Sequence, residues 1–277
     1  MNGADGRARG GTAPVIVTGA ASGIGAALVG QLTAAGVPVI GLDRLPGNGI
    51  RGCDLADPDA VAAFLATLSG PIGGLANVAG VPGTAPAATV LAVNSLAPRL
   101  LADGVTDHLV PGAAVVSVAS VAAHRNTQPP GALADLTACR DLTDLRAWLA
   151  AHPIDGSAAY DTSKRVLVDW TVRQAARWLP RGLRCLSVSP GPVHTPILGD
   201  FVATMGRDTI DRSAAAVGRH ARPDEIAAVV AFALSPAASW CSGIDIVADG
   251  GLLAARAAAA PLAPAAVAAA QPSGGPA

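Results

Sequence analysis

Tyr160 and Lys164 stand four positions apart, and each is the single residue of its type in a chain of 277 residues. All other basic charge is arginine, Lys and Arg together numbering 19. A composition that uses neither tyrosine nor lysine elsewhere has kept both here, at a spacing that stacks them on one face of a helix. Proton exchange is the chemistry such a pair supports. Free tyrosine, with a pKa near ~10, is protonated at neutral pH. An ammonium one turn away favours the phenolate and is expected to lower that value. Tyr160 is therefore the candidate acid/base and Lys164 the group that tunes it.

A second set of residues suits a dinucleotide. Thr18-Gly19-Ala20-Ala21-Ser22-Gly23-Ile24-Gly25 follows a Val/Ile run and opens a helical pattern, the context in which such glycines cradle a pyrophosphate. Gly19 permits the tight turn, Gly23 lets backbone approach the phosphates, and Gly25 lets helix pack on strand, with Ser22 and Ile24 between them at the helix N-terminus. Asp43, ending the next apolar run, can accept both adenosine ribose hydroxyls and repels a 2′-phosphate, which selects NAD. Arg44 beside it is a guanidinium of the kind that binds such a phosphate. Asp54 and Leu55, after a third short run, are placed to meet the adenine.

These residues need a scaffold that brings strand ends together. Apolar Val/Ile runs alternate with stretches of helical period, which predicts βα units around a parallel sheet, an α/β fold. Strands are predicted over 15–18, 37–43, 50–54, 74–79, 113–118, 183–189 and 244–247, and helices over 24–35, 59–68, 90–110, 158–179 and 223–234. Asp57-Pro58-Asp59 reads as an N-cap with first-turn proline and acid, so those carboxylates are assigned to capping. Two stretches break the rhythm. Residues 121–157 form an insertion with an amphipathic piece over 141–150, expected to be a lid, a substrate wall or an interface element, or else a surface insertion with no chemical role. From Ala254 the chain is Ala/Pro-rich and is expected to be disordered; the Gly/Arg-rich residues 1–13 read as a disordered extension.

Half of the residues are hydrophobic, 51%, and 14% are charged, enough for a large core, with no run suited to spanning a bilayer. A net charge of −1 without a basic stripe gives no reason to expect nucleic acid or a membrane surface as partner. A small molecule is the expected partner. Cys53, Cys139, Cys185 and Cys241 lie scattered with no pair and no nearby histidine at ligand spacing, so no metal is expected and the thiols read as reduced, in a cytoplasm. The segment 1–11 lacks the apolar stretch of a secretory signal.

In order, Thr18-x-x-x-x-Gly23-x-Gly25, Asn77-Val78-Ala79-Gly80, Asn94, Ser120, Tyr160-x-x-x-Lys164 and Pro190-Gly191 resemble the motifs of short-chain dehydrogenases/reductases over residues 14 to 253. The resemblance implies a single Rossmann-type domain, a doubly wound and mostly parallel seven-stranded sheet with helices on both faces. It also implies an NAD cofactor, a homodimer or homotetramer, and a catalytic set of Asn94, Ser120, Tyr160 and Lys164. By that resemblance Lys164 also binds the nicotinamide ribose, Ser120 meets the substrate oxygen, and Asn94 holds a water that continues the proton path. Asn77, Ala79, Gly80, Pro190 and Gly191 fall in cofactor-binding motifs, and the Val193 backbone with the Thr195 hydroxyl matches the segment that holds the nicotinamide carboxamide. Ser117 and Ser157 compete with Ser120 for the catalytic place. Ser120 fits best because it ends its strand before a small-residue turn. Val78 and Ala119 depart from the commonest residues of their motifs, at positions that move neither proton nor hydride. His194 is a weaker candidate for a second acid/base, since the proton path is complete without it.

The trimmed stretch between Gly80 and Asn94, the insertion, and the wording Gly191-Pro192-Val193-His194-Thr195-Pro196 resemble the branch of the family that oxidises aryl allylic alcohols such as coniferyl alcohol. A related branch acting on 3α-hydroxysteroids and carbonyls shares the insertion. Substrate walls are then expected from the insertion and from residues 197–210. A dinucleotide sensor without activity would keep the glycines but has no need of all four of Asn94, Ser120, Tyr160 and Lys164. An epimerase would need a larger C-terminal domain than residues 190–253 provide.

Overall fold

The structure, a computed structural model, describes residues 13–196, 198–200 and 207–259. Seven strands form one sheet, all parallel, in the order β3-β2-β1-β4-β5-β6-β7. They are β1 (Val15–Thr18), β2 (Val39–Asp43), β3 (Ile50–Gly52), β4 (Ile72–Asn77), β5 (Leu109–Val118), β6 (Arg184–Pro190) and β7 (Ile244–Ala248). The helices are α1 (Gly23–Ala34), α2 (Pro58–Leu65), α3 (Ala87–Leu91), α4 (Ala97–Val105), α5 (Pro130–Ala138), α6 (Leu142–Ala151), α7 (Gly156–Trp178), α8 (Arg207–Val217), α9 (Pro223–Leu234) and α10 (Leu252–Ala259).

Both faces of the central strands are apolar because both are covered. Ile16, Leu75, Val115 and Cys185 face α2, α4 and α7, where Phe64, Leu101 and Trp170 wait. Their neighbours Val17, Ala76, Val116 and Leu186 face α1 and α9, against Leu28 and Val230. Strand order reverses between β1 and β4, and at such a switch point the C-terminal strand ends leave a crevice.

Two expectations need correction. The helix predicted over 90–110 is broken: α3 passes into a π turn, Ala92–Leu96, before α4, and Leu109 and Val110 already belong to β5. Pro98 supplies a reason, since it has no N–H to give the carbonyl four residues back, that of Asn94, while the carbonyl of Ser95 accepts from the Arg99 side chain at 3.0 Å. The tail is not irregular from Ala254, because α10 runs to Ala259 and Arg256 donates to Ser213 Oγ at 3.2 Å. Residues 1–12 and 260–277 lie outside the described residues.

The insertion is ordered, as its length and the amphipathic stretch over 141–150 imply. A 3₁₀ turn, Val121–Arg125, leads to α5 and α6, which pack on α3 and α7 through Leu133, Leu136, Leu145 and Trp148. Asp141 caps α6 through the N–H groups of Thr143 and Asp144, at 2.7 and 2.9 Å. At the other helix Arg99, 6% exposed, donates to the carbonyls of Leu136, Thr137 and Cys139, satisfying the C-terminus of α5. The insertion is an ordered hairpin on the outside of the helical layer.

Candidate active site

The crevice has a volume of about 440 Å³ and gathers most of the residues singled out in the sequence. Its first wall is the glycine turn after β1. Thr18 Oγ1 accepts from the N–H groups of Val78 (2.9 Å) and Ala79 (3.0 Å), drawing the exit of β4 against that of β1. The approach leaves no room for a side chain on Gly19, whose φ is +69° and whose Cβ would lie 2.9 Å from Ala79 Cα. At Gly25 a Cβ would run into the Gly19 carbonyl. Aspartates cap α2, α6 and α7, yet Ser22 at the N-cap of α1 makes no side-chain cap and its first turn holds no acid. Uncapped N–H groups at a helix start that faces a cleft form a site for phosphate. The cradle therefore fits a dinucleotide on its own geometry.

At one end of the cleft stands Asp43, whose Oδ2 accepts from Ala21 N–H at 3.0 Å and whose Oδ1 accepts from Leu45 N–H at 3.4 Å. Arg44, Asp54 and Leu55 share that wall. Asp54 Oδ1 accepts from Ala56 N–H at 2.9 Å, so part of its carboxylate serves the loop. At the far end Pro190, Gly191, Val193 and Thr195 line the cleft, and Thr195 also meets the cradle, 3.2 Å from the place a Gly23 Cβ would take.

Between these ends stand Ser120, Tyr160 and Lys164. Ser120 caps the 3₁₀ turn, its Oγ accepting from Ala122 N–H at 3.1 Å, and its hydroxyl is hydrogen-bonded to Tyr160. Lys164, 4% exposed, donates to the Val118 carbonyl at 2.9 Å and lies 5.5 Å from the centre of the Tyr160 ring. Burial brings the lysine down to about 8. Burial also pushes Tyr160 up to about 12, against the Ser120 hydrogen bond and the Arg125 charge, with Asp161 adding to the rise. With the protein's own groups alone, loss of hydration outweighs the Ser120 hydrogen bond and the Arg125 charge; the expected lowering counts on a cationic nicotinamide as well as on Lys164.

Two predicted residues lie off the cleft wall. Asn77, 2% exposed, donates to the Pro98 carbonyl (3.2 Å) and Ser117 Oγ (3.4 Å) beneath it, joining β4 to α4 and β5. Asn94 is fully buried in the π turn. Gly80 separates it from Lys164: a Cβ there would stand 3.3 Å from Asn94 Oδ1 and 3.6 Å from Lys164 Nζ. Ser117 is inside β5, and Ser157 abuts Gly83 away from the cleft. His194 stands edge-on to His220, ring centres 5.0 Å apart. The described lining of this cleft contains no residue of 121–157, and residues 197 and 201–206 lie outside the described residues.

Thr89 and Val93 also line the cleft, and sequence reading missed them. Their i, i+4 spacing one residue before Asn94 was the available signal. Another contact sets α7 in place: a Cβ on Gly156 would run into the carbonyls of Gly83 and Ala85, and one on Gly83 would lie 2.8 Å from Ser157 Cα.

The profile described as enoyl-(acyl carrier protein) reductase matches residues 145–253, and that of the NAD dependent epimerase/dehydratase family matches residues 15–177. The coniferyl-alcohol dehydrogenase of a Pseudomonas species is 36% identical over 246 residues, covering 86% of this chain and 95% of the relative. The 3-alpha-hydroxysteroid dehydrogenase/carbonyl reductase of Comamonas testosteroni is 33% identical, with coverage of 86% and 95%. Among solved structures, the 3-alpha-hydroxysteroid dehydrogenase of a Pseudomonas species, complexed with NADH, superposes with a TM-score of 0.78 at 35% identity, covering 90% of this chain and 100% of the other.

Proposed function

Because the chain belongs to the short-chain dehydrogenase/reductase family, and is thereby an oxidoreductase of the alcohol dehydrogenase type, we propose that it oxidises an aryl allylic alcohol such as coniferyl alcohol to the aldehyde, with NAD. The observation that carries this reading is the hydrogen-bonded Ser120–Tyr160 pair above Lys164, in the same cleft as the glycine cradle. The 36% identity to a coniferyl-alcohol dehydrogenase supports the substrate class.

Gly19, Ser22, Gly23, Ile24 and Gly25 would hold the pyrophosphate, Asp43 the adenosine ribose, Asp54 and Leu55 the adenine, and Val193 and Thr195 the carboxamide. When bound, the nicotinamide supplies the acceptor for hydride. The chain supplies the proton path. Ser120 takes the substrate oxygen as hydrogen-bond partner and fixes it beside Tyr160. Tyr160 Oη receives the hydroxyl proton, and the Lys164 ammonium favours the phenolate that makes it a base. Asp43 supports NAD over NADP because its carboxylate occupies the ground a 2′-phosphate would need.

A 3α-hydroxysteroid or carbonyl substrate is the second reading, supported by the 0.78 superposition on a 3-alpha-hydroxysteroid dehydrogenase. Rates of NAD⁺ reduction with coniferyl alcohol, other aryl alcohols and 3α-hydroxysteroids separate the two. The highest kcat/KM is expected for the aryl allylic alcohol, and a steroid preference overturns that choice. Tyr160→Phe is expected to bind NADH and turn nothing over; retained turnover sinks the mechanism.

Self-association is part of the same proposal. β7 has one strand neighbour, β6, and beside it Trp240 is 100%, Ile244 42% and Val247 44% exposed. An apolar sheet edge of this kind suits a second copy of the chain. Sedimentation should give a dimer or tetramer that Trp240→Glu dissociates; a monomeric wild type refutes it. The cytoplasm is the proposed compartment, in keeping with four free cysteines, and no helix among the described residues is long and apolar enough to cross a membrane.

A further inference from the structure

Arg125 and Asp161 do not touch the glycine cradle, and the proton path above makes no use of them. Arg125 ends the 3₁₀ turn that Ser120 begins, and Asp161 follows Tyr160 on α7. The guanidinium makes a forked contact with the carboxylate, Nε to Oδ2 at 3.0 Å and Nη2 to Oδ1 at 2.6 Å. One residue further on in each segment the tie repeats, Thr162 Oγ1 donating to Asn126 Oδ1 at 3.0 Å. Two consecutive residues of the serine's turn are thus fastened to the two residues that follow the tyrosine.

We infer that the Arg125–Asp161 ion pair is a positioning element for proton transfer, fixing the Ser120 turn against Tyr160 and setting a guanidinium charge beside the phenol. Fork geometry is what gives the pair this capacity, since two parallel bonds fix orientation where a single ammonium contact does not. The charges act with opposite sign. Arg125 favours the phenolate and Asp161 opposes it. Among the described residues, the other charges around the pair are Lys164, across the Tyr160 ring, and Asp155, which acts on Asp161. His124 is exposed on the same turn.

The inference rests on Tyr160 being the acid/base, and a second readout keeps the two apart. Because Tyr160 is the single tyrosine, tyrosinate ultraviolet absorbance reports its ionisation without any turnover. Arg125→Met is expected to move both the onset of that absorbance and the basic-form limb of kcat/KM upward by about one pH unit. Asp161→Asn is expected to move both downward. Arg125→Lys, which keeps the charge and loses the fork, should leave the limb in place while lowering kcat about tenfold with KM for NAD unchanged. A cavity of about 260 Å³ beside the pair lets water reach Asp161 once Arg125 is shortened, so the variants are expected to melt close to the wild type. If Arg125→Met fails to fold, Asp161→Asn carries the test through its opposite sign. Unmoved absorbance and pH limb in a folded variant overturn the inference. Full activity in Tyr160→Phe overturns the underlying reading instead, and the absorbance titration then still decides whether the ion pair acts on the phenol.

Discussion

Asn94 closes its whole side-chain amide on one residue: Oδ1 accepts from Val81 N–H at 2.8 Å and Nδ2 donates to the Val81 carbonyl at 2.9 Å. The side chain is thereby committed to holding the loop after Gly80. What remains for a water in a proton path is the Asn94 backbone carbonyl, which Pro98 deprives of its α-helical donor. Pro98→Ala restores that N–H and is expected to let the π turn tighten, raising the melting temperature while lowering kcat several-fold. A variant with unchanged turnover would remove the carbonyl from the path. Asn94→Ala, which frees the Val81 loop, should lower both.

Lys164 and Tyr160 give the stability opposite slopes with pH. The lysine sits at about 8 against an ordinary 10.5, so between those values the unfolded chain holds the extra proton and stability rises with pH. Tyr160, at about 12 against 10.0, keeps its proton longer when folded, and its contribution is lost as pH climbs from 10 towards 12. Lys164→Met removes a buried cation and its hydrogen bond to Val118. Below pH 8 the ligand-free variant is expected to be more stable by about 2 kcal/mol, and inactive. Thermal melts at pH 7 and pH 10 check this: the gain should shrink at the higher pH.

Asp43 is anchored by Ala21 N–H within the glycine turn itself, so the NAD selectivity proposed for it is linked to the shape of the cradle. Asp43→Ala should weaken NAD use at least about tenfold through the lost ribose contacts and admit NADP, with Arg44 available to its phosphate. Initial rates with both cofactors measure the switch. A wild type that already prefers NADP would contradict the role given to Asp43.

Arg99 is buried and donates to the carbonyls of Ser95, Leu136, Thr137 and Cys139, and burial lowers its pKa against the pull of Cys139 and Asp103. Arg99→Met leaves the last carbonyls of α5 without donors, an expected loss of about 3 kcal/mol. Limited proteolysis should then cut first within 126–157. A fall in kcat alongside would follow from the bond to Ser95, next to Asn94.

The alternation of Ile16 and Val17, Leu75 and Ala76, or Val115 and Val116 between two covered faces made the sheet legible from pattern alone. So did the glycines, whose spacing encodes contacts local to one turn. The break at residues 92–96 was hidden because apolar periodicity runs on through it; Pro98 marks it, but only in light of which carbonyl it fails to serve. Asn77 was legible as a motif residue and not as a strut, since its partners Pro98 and Ser117 are 21 and 40 positions away. The raised phenol was equally out of reach, because burial is a property of the fold and spacing reports only the neighbour one turn on.

Gly83 and Gly156 meet backbone to backbone at the foot of α7. Tyr160 rides one turn above that contact, about 6 Å along the axis by helical rise. Each position therefore needs the other to stay without a side chain. A lone methyl group gained at either would press on backbone at the base of a 23-residue helix, and its cost is expected to register at Tyr160 and not at the substrate walls.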